Sequence, residues 1–202
     1  MNIEYTIEFF SNWHCGSGLT AGADVDALVV KDGRGLPYVP GRTIKGLLRE
    51  AAETLGSFEP ELLKHLDAIF GISGDDDKKK DDKPRIGEAF FKNATLVDGD
   101  TIVKGGLTAY LYQTFSSTAI DESTGIAAEH SLRRIETVVP CTLKGSILNV
   151  PEGGDALLKD AMKMVKRMGT GRNRGYGRCT ISPINSRRTN HEKNEIQMYA
   201  AV

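Results

Sequence analysis

Hydrophobic periodicity in this chain switches between two residues and about 3.6 residues, and the order of the switches restricts the folds available to it. Ile3, Tyr5, Ile7 and Phe9 alternate with Asn2, Glu4, Thr6 and Glu8, which predicts a half-buried strand. Ile44, Leu47, Leu48, Ala51 and Leu55 then recur at three- and four-residue steps, predicting a helix that the rigid run Pro37-Tyr38-Val39-Pro40-Gly41 introduces. A short apolar run, Ala27 to Val30, precedes that run, and a second short helix is expected over about 60–70 on Leu62, Leu63, Leu66 and Phe70. Strands are expected over 86–97, 107–115, 132–139 and 143–150, with Pro140 separating the last two. A helix over 155–168 places Leu157, Leu158, Ala161, Met162 and Val165 on one face, and a strand over 178–184 follows.

Stripped of insertions this order is β-α-β-β-α-β, so the expected class is α+β with a ferredoxin-like core, formed as one domain over 1–184. A chain of 202 residues, 40% hydrophobic and 26% charged, has enough apolar side chains for such a core and excludes bulk disorder. Residues 74–84 contain no apolar side chain and are expected to be a solvated, mobile loop, and 185–202 a polar tail. The long polar stretch after Phe115, with a turn at Asp121-Glu122-Ser123-Thr124-Gly125, predicts a projecting hairpin over about 115–139.

The formal net charge of −1 conceals an asymmetry: residues 131–190 hold 12 Lys/Arg against 4 Asp/Glu, and residues 1–130 hold 13 against 21. One end of the sequence can therefore face an acidic polymer. No run approaches the roughly 20 apolar residues that cross a bilayer, and no basic segment followed by an apolar stretch opens the chain, so the reading expects a cytoplasmic protein without membrane attachment. Cys15, Cys141 and Cys179 are scattered and odd in number, which points to buried free thiols rather than to disulfides or a zinc site.

Chemistry concentrates in two places. Gly169-Thr170-Gly171-Arg172-Asn173-Arg174-Gly175-Tyr176-Gly177-Arg178 interleaves glycines with arginines. A dinucleotide fingerprint needs strand, glycine loop, helix, whereas here a helix precedes and a strand follows, and no Walker sequence occurs. What remains is a backbone that approaches a ligand closely, with guanidinium forks for phosphates and Tyr176 free to pack or stack; a plain basic turn is the alternative. At the start of the first helix Arg42 and Lys45 add cations where the free N–H groups already favour anions, or else form an ordinary exposed helix face.

Read together, these stretches resemble the RAMP superfamily, the repeat-associated proteins of CRISPR effector complexes, and most of all the backbone subunit of type III complexes. The resemblance is carried by His14-Cys15-Gly16-Ser17-Gly18, by Val25-Asp26 through Asp32, Gly35-Leu36-Pro37-Tyr38-Val39-Pro40-Gly41 and Ile44-Lys45-Gly46 to Arg49, by Ile69-Phe70-Gly71, and by the glycine-rich loop. It implies a modified RNA-recognition fold that polymerises along a guide RNA and kinks guide and target with a thumb hairpin.

Position by position, the resemblance implies that Asp26 matches the loop aspartate that cleaves target RNA; a carboxylate there can ligate Mg²⁺ or Mn²⁺ or help activate the ribose 2′-OH, and Asp24, two residues away, can share or replace that role. His14, Arg42, Lys45 and Arg49 would lie near the guide backbone, with Arg133 and Arg134 at the returning end of the thumb. Gly169, Gly171, Arg172, Arg174, Gly175, Tyr176 and Gly177 form the family's hallmark loop. The expected partners are CRISPR guide RNA, target RNA and other copies or paralogous subunits. Two rivals share the fold: a non-catalytic guide scaffold whose partner cuts, and a metal-independent guide-processing endoribonuclease using His14 as acid or base. A stand-alone phosphate-ligand enzyme fits worst, since no nucleophile, base and orienting group can be named.

Overall fold

The computed structural model describes residues 1–21, 24–72 and 85–184. The expected loop over 74–84 and tail over 185–202 lie outside them. In chain order the elements are β1 (Ile3–Phe9), β2 (Tyr38–Val39), α1 (Gly41–Phe58), α2 (Leu66–Phe70), β3 (Gly71–Ile72), β4 (Arg85–Ile86), β5 (Phe90–Phe91) and β6 (Ala94–Leu96). They continue as α3 (Gly99–Lys104), β7 (Tyr112–Ser117), β8 (Arg133–Val138), β9 (Thr142–Leu148), α4 (Gly154–Met164) and β10 (Cys179–Pro183).

The main sheet is antiparallel throughout, in the order β10-β1-β9-β6-β2, with β5 also on β9. β1 lies between β9 and β10, the arrangement of a ferredoxin-like α+β core. Its alternation is literal: Ile3, Tyr5, Ile7 and Phe9 are buried while Glu4 and Glu8 are exposed. α1 and α4 pack on each other and supply Ile44, Leu48, Leu157, Leu158 and Met162, all fully buried in one core with β1. Each such side chain contributes about 1.5–3 kcal/mol on burial. The opposite sheet face is polar where β1, β9 and β10 meet, with Glu4 paired to Lys144 at 2.9 Å.

Several boundaries differ from the periodicity. The stretch 86–97 breaks into three short strands. Residues 107–111 are mostly a 3₁₀ turn (Thr108–Leu111) rather than strand, and α3 has no amphipathic repeat that would announce it. The second short helix is 3₁₀ over Pro60–His65 and α only from Leu66. α4 stops at Met164, about a turn early, because Val165 is extended (ψ 108°) and the next residues pair back on the start of β10. Val165 is still buried, so the apolar spacing that suggested helix serves the core from an extended backbone.

Candidate nucleic-acid interface

β7 and β8 form their own two-stranded hairpin, registered from Tyr112↔Val138 to Ser117↔Arg133, which is the predicted projecting element. The segment bearing Asp26 lies along the free edge of β8. Asp26 N–H donates to the Arg134 carbonyl (2.9 Å), and Arg134 N–H donates to Asp26 Oδ2 (2.6 Å). Glu136 N–H donates to the Ala27 carbonyl (3.0 Å), and the Glu136 carboxylate accepts from Val29 N–H (3.0 Å) and Lys31 Nζ (2.8 Å). Lys31 also sits 4.0 Å above the Tyr112 ring. The short apolar run Ala27–Val30 makes only isolated bridges, because it shares partners between Gly16 and Ile135. Asp26 is exposed, and its second carboxylate oxygen has no hydrogen-bond partner among the described residues.

The glycine-rich loop is fastened, not loose. Thr170 N–H donates to the His14 carbonyl (2.8 Å), Gly177 N–H to the Asn12 carbonyl (2.7 Å), and Met168 N–H to the Gly177 carbonyl (2.8 Å). Gly169 (φ +90°) and Gly177 (φ +68°) have no room for a side chain: a Cβ would stand 2.3 Å from the His14 oxygen and 1.8 Å from the Met168 oxygen. Between them Arg172–Arg174 form a 3₁₀ turn with all three residues exposed. Tyr176 meets Phe115 of β7 edge-on at 5.7 Å, so it braces the loop against the hairpin. His14 is 3% exposed and its Nδ1–H donates to the Glu136 carbonyl at 2.6 Å. Its ring therefore holds the hairpin while its backbone carbonyl holds the glycine loop, so the residue links the two.

At the start of α1, Arg42 is exposed and Lys45 half-buried, neither with an ion-pair partner among the described residues. Arg49 differs: its Nε donates to Glu53 at 2.8 Å, an i,i+4 pair, and it also reaches toward the Gly71 carbonyl. A cleft of about 370 Å³ between Ser17, Val30, Tyr38 and Arg42 joins the Asp26-bearing segment to this helix end. Asp26 thus meets the Arg134 backbone toward the loop end of the hairpin ladder, which Arg133 closes, His14 packs under the glycine loop, Arg42 and Lys45 share the helix end, and Arg49 stands apart in its ion pair. Glu136, Lys31 and Phe115 were not singled out in the sequence. Glu136 carried no signal, since a glutamate in an alternating strand reads as solvent-facing.

The hairpin turn is held by Asp121 Oδ1, which accepts from Ser123 and Thr124 through both backbone and hydroxyl groups. Those bonds, the Ser123 hydroxyl first, keep its carboxyl below the ordinary carboxylate range. A depressed folded value means the turn is intact above the usual carboxylate pKa near ~4 and released as pH falls through the lower value. Chemical shifts of the Ser123 and Thr124 amides are expected to move only in that acid window; titration at the ordinary value would sink the idea.

Cys15 and Cys179 are buried and Cys141 half-buried, all as free thiols. Burial, with Cys179 nearby, pushes the Cys15 thiol up to about 12, and burial pushes Cys141 and Cys179 up to about 11, so none is a ready nucleophile. Among the described residues no three His, Cys, Asp or Glu side chains gather as a metal cluster, and no helix is long and apolar enough to cross a membrane.

A family model described as the RAMP superfamily matches residues 6–180. No curated protein sequence matches significantly. Among solved structures, a chain of the type III-B Cmr-beta complex bound to cognate target RNA superposes with TM-score 0.69 at 10% identity, covering 91% of this chain and 97% of that one. A chain of Cmr-beta in the apo state gives 0.67 at 11% identity, covering 92% and 98%.

Proposed function

The chain belongs to the RAMP superfamily, and from that premise we propose that it is a guide-RNA-binding subunit of a type III RNA-guided effector complex that cuts bound target RNA through Asp26. The observation that carries this reading is the pair of hydrogen bonds between Asp26 and the Arg134 backbone, which fixes an exposed carboxylate on the free edge of β8, toward the loop end of the hairpin ladder. Target RNA in the Cmr-beta structure of the same fold supports the choice of ligand.

A single carboxylate with one oxygen uncommitted fits Mg²⁺, which keeps several waters and takes one or two carboxylates plus substrate phosphates. Asp26 would hold the ion, which when bound supplies charge stabilisation at the phosphoryl oxygens. The protein's own part is positioning. Glu136 and Lys31 hold the Asp26 segment on β8, and His14 holds the glycine loop to the same strand. The scaffold reading keeps one observation in its favour, since the Asp26–Arg134 bond is also a sufficient structural reason for an aspartate. The buried, hydrogen-bonded ring of His14 speaks against the guide-processing reading.

Guide binding is tested by its salt dependence. Arg42, Lys45, Arg133, Arg134, Arg172 and Arg174 have no ion-pair partner among the described residues. If all six contact single-stranded phosphates, log Kd against log salt should have a slope magnitude of about 4, and each alanine variant should lower it by about 0.7. Filter binding across a salt series measures it, and a slope near zero would remove the RNA-binding reading.

A further inference from the structure

The polar sheet face of this fold carries Glu4, Thr6 and Glu8 on β1, so that strand presents bases no aromatic platform between them. The short strand β5 offers one in Phe90, which stands opposite Leu148 of β9. A groove of about 470 Å³ opens between the first turn of α1 and β5, lined among others by Arg42, Lys45, Ile86, Glu88, Phe90 and Asn149. Phe90 is 59% exposed and Ile86 93% exposed, whereas the adjacent Phe91 is buried and stacks on Phe70.

The juxtaposition is built in. Gly41 lets α1 start directly against β5: a Cβ there would stand 2.0 Å from the Phe91 carbonyl oxygen. Gly41 N–H is taken by Asn93 Oδ1 at 2.9 Å and is not offered to a ligand, so the full positive charges at this end are those of Arg42 and Lys45. Glu88 is the one acidic side chain in the lining, against two cations. Leaving a phenylalanine and an isoleucine in water beside unpaired cations suits a ligand with a flat apolar face and a negative charge, and a nucleotide has both.

We propose that this groove seats one nucleotide of single-stranded RNA, its base against Phe90 and Ile86 and its phosphate on Arg42 and Lys45. The proposal rests on the guide-binding reading and adds a base-stacking position to it. Stacking on an aromatic ring is tolerant of sequence, so the site would grip any guide.

The test compares wild type, Phe90→Leu and Phe90→Tyr by fluorescence anisotropy on a mixed-sequence single-stranded RNA and on an abasic strand of equal length, with thermal melts confirming the fold. Phe90→Leu is expected to weaken RNA binding roughly 5- to 150-fold, the range of a lost base stack, with little change on the abasic strand and near-wild-type binding by Phe90→Tyr. Equal RNA affinity of wild type and Phe90→Leu, with Arg42→Ala still weakened, overturns the stacking site and leaves guide binding standing. Failure of wild type to bind either strand in low salt overturns both.

Discussion

Asp26→Asn is expected to lower target cleavage by about 100-fold or more in the guide-loaded assembly with Mg²⁺, while guide affinity and melting temperature stay at wild-type values. The amide oxygen of asparagine still accepts the Arg134 N–H that Asp26 Oδ2 now accepts at 2.6 Å, so the segment stays on β8 and only the negative charge is lost. Asp26→Ala removes the acceptor as well, at a cost of about 0.5–1.5 kcal/mol for one partly exposed hydrogen bond, and should speed hydrogen exchange around Ala27 and Glu136. Alanine alone would thus confound a lost reactive group with a lost anchor, and the asparagine variant separates them. Cleavage by Asp26→Asn at the wild-type rate on a denaturing gel would assign this aspartate a purely structural role and leave the scaffold reading.

Gly177→Ala should be among the most destabilising single methyl additions in the chain. The residue sits at φ +68°, and the new Cβ would stand 1.8 Å from a backbone oxygen, that of Met168, which no rotamer change can relieve. The loop would have to part from β10 and from Asn12, so about 3 kcal/mol or more is expected, or roughly 6–12 °C in Tm for a domain of this size. Gly175→Ala is the control: at φ +90° with open space around the Cβ it carries strain alone, about 1–2 kcal/mol. RNA affinity should fall with Gly177→Ala and hold with Gly175→Ala. Equal melting of the two variants would mean that the loop is not clamped as described.

The core elements were legible because their signals are local. The alternation in β1, the three- and four-residue steps of α1 and α4, and the turn at Asp121–Gly125 each lie within one stretch of chain. The order of the two periodicities was enough to reach the ferredoxin-like class. The site was less so, because its contacts join distant residues. Nothing near His14 says that its ring will be buried under Glu136, 122 positions away. The arginine and glycine content of 169–178 marked the loop, yet the reason two of those glycines are indispensable is the backbone of Met168 and His14. Phe90 and Phe91 are adjacent and chemically identical, and only the packing of β5 on β9 decides which of them faces water.

β1 precedes the other described strands in sequence and is an interior strand of the sheet, flanked by β9 and β10, which lie more than 130 residues further along. During synthesis it has no strand to pair with until Cys141 and β9 have been made, and the glycine loop cannot close on His14 and Asn12 until Thr170 and Gly177 follow. A nascent chain carries Asp26, Arg42 and Lys45 long before it can hold them in register. The sheet therefore closes only when distant segments of chain meet on both edges of β1, a pairing of high sequence separation that is expected to make folding slower than in a helical domain of equal size.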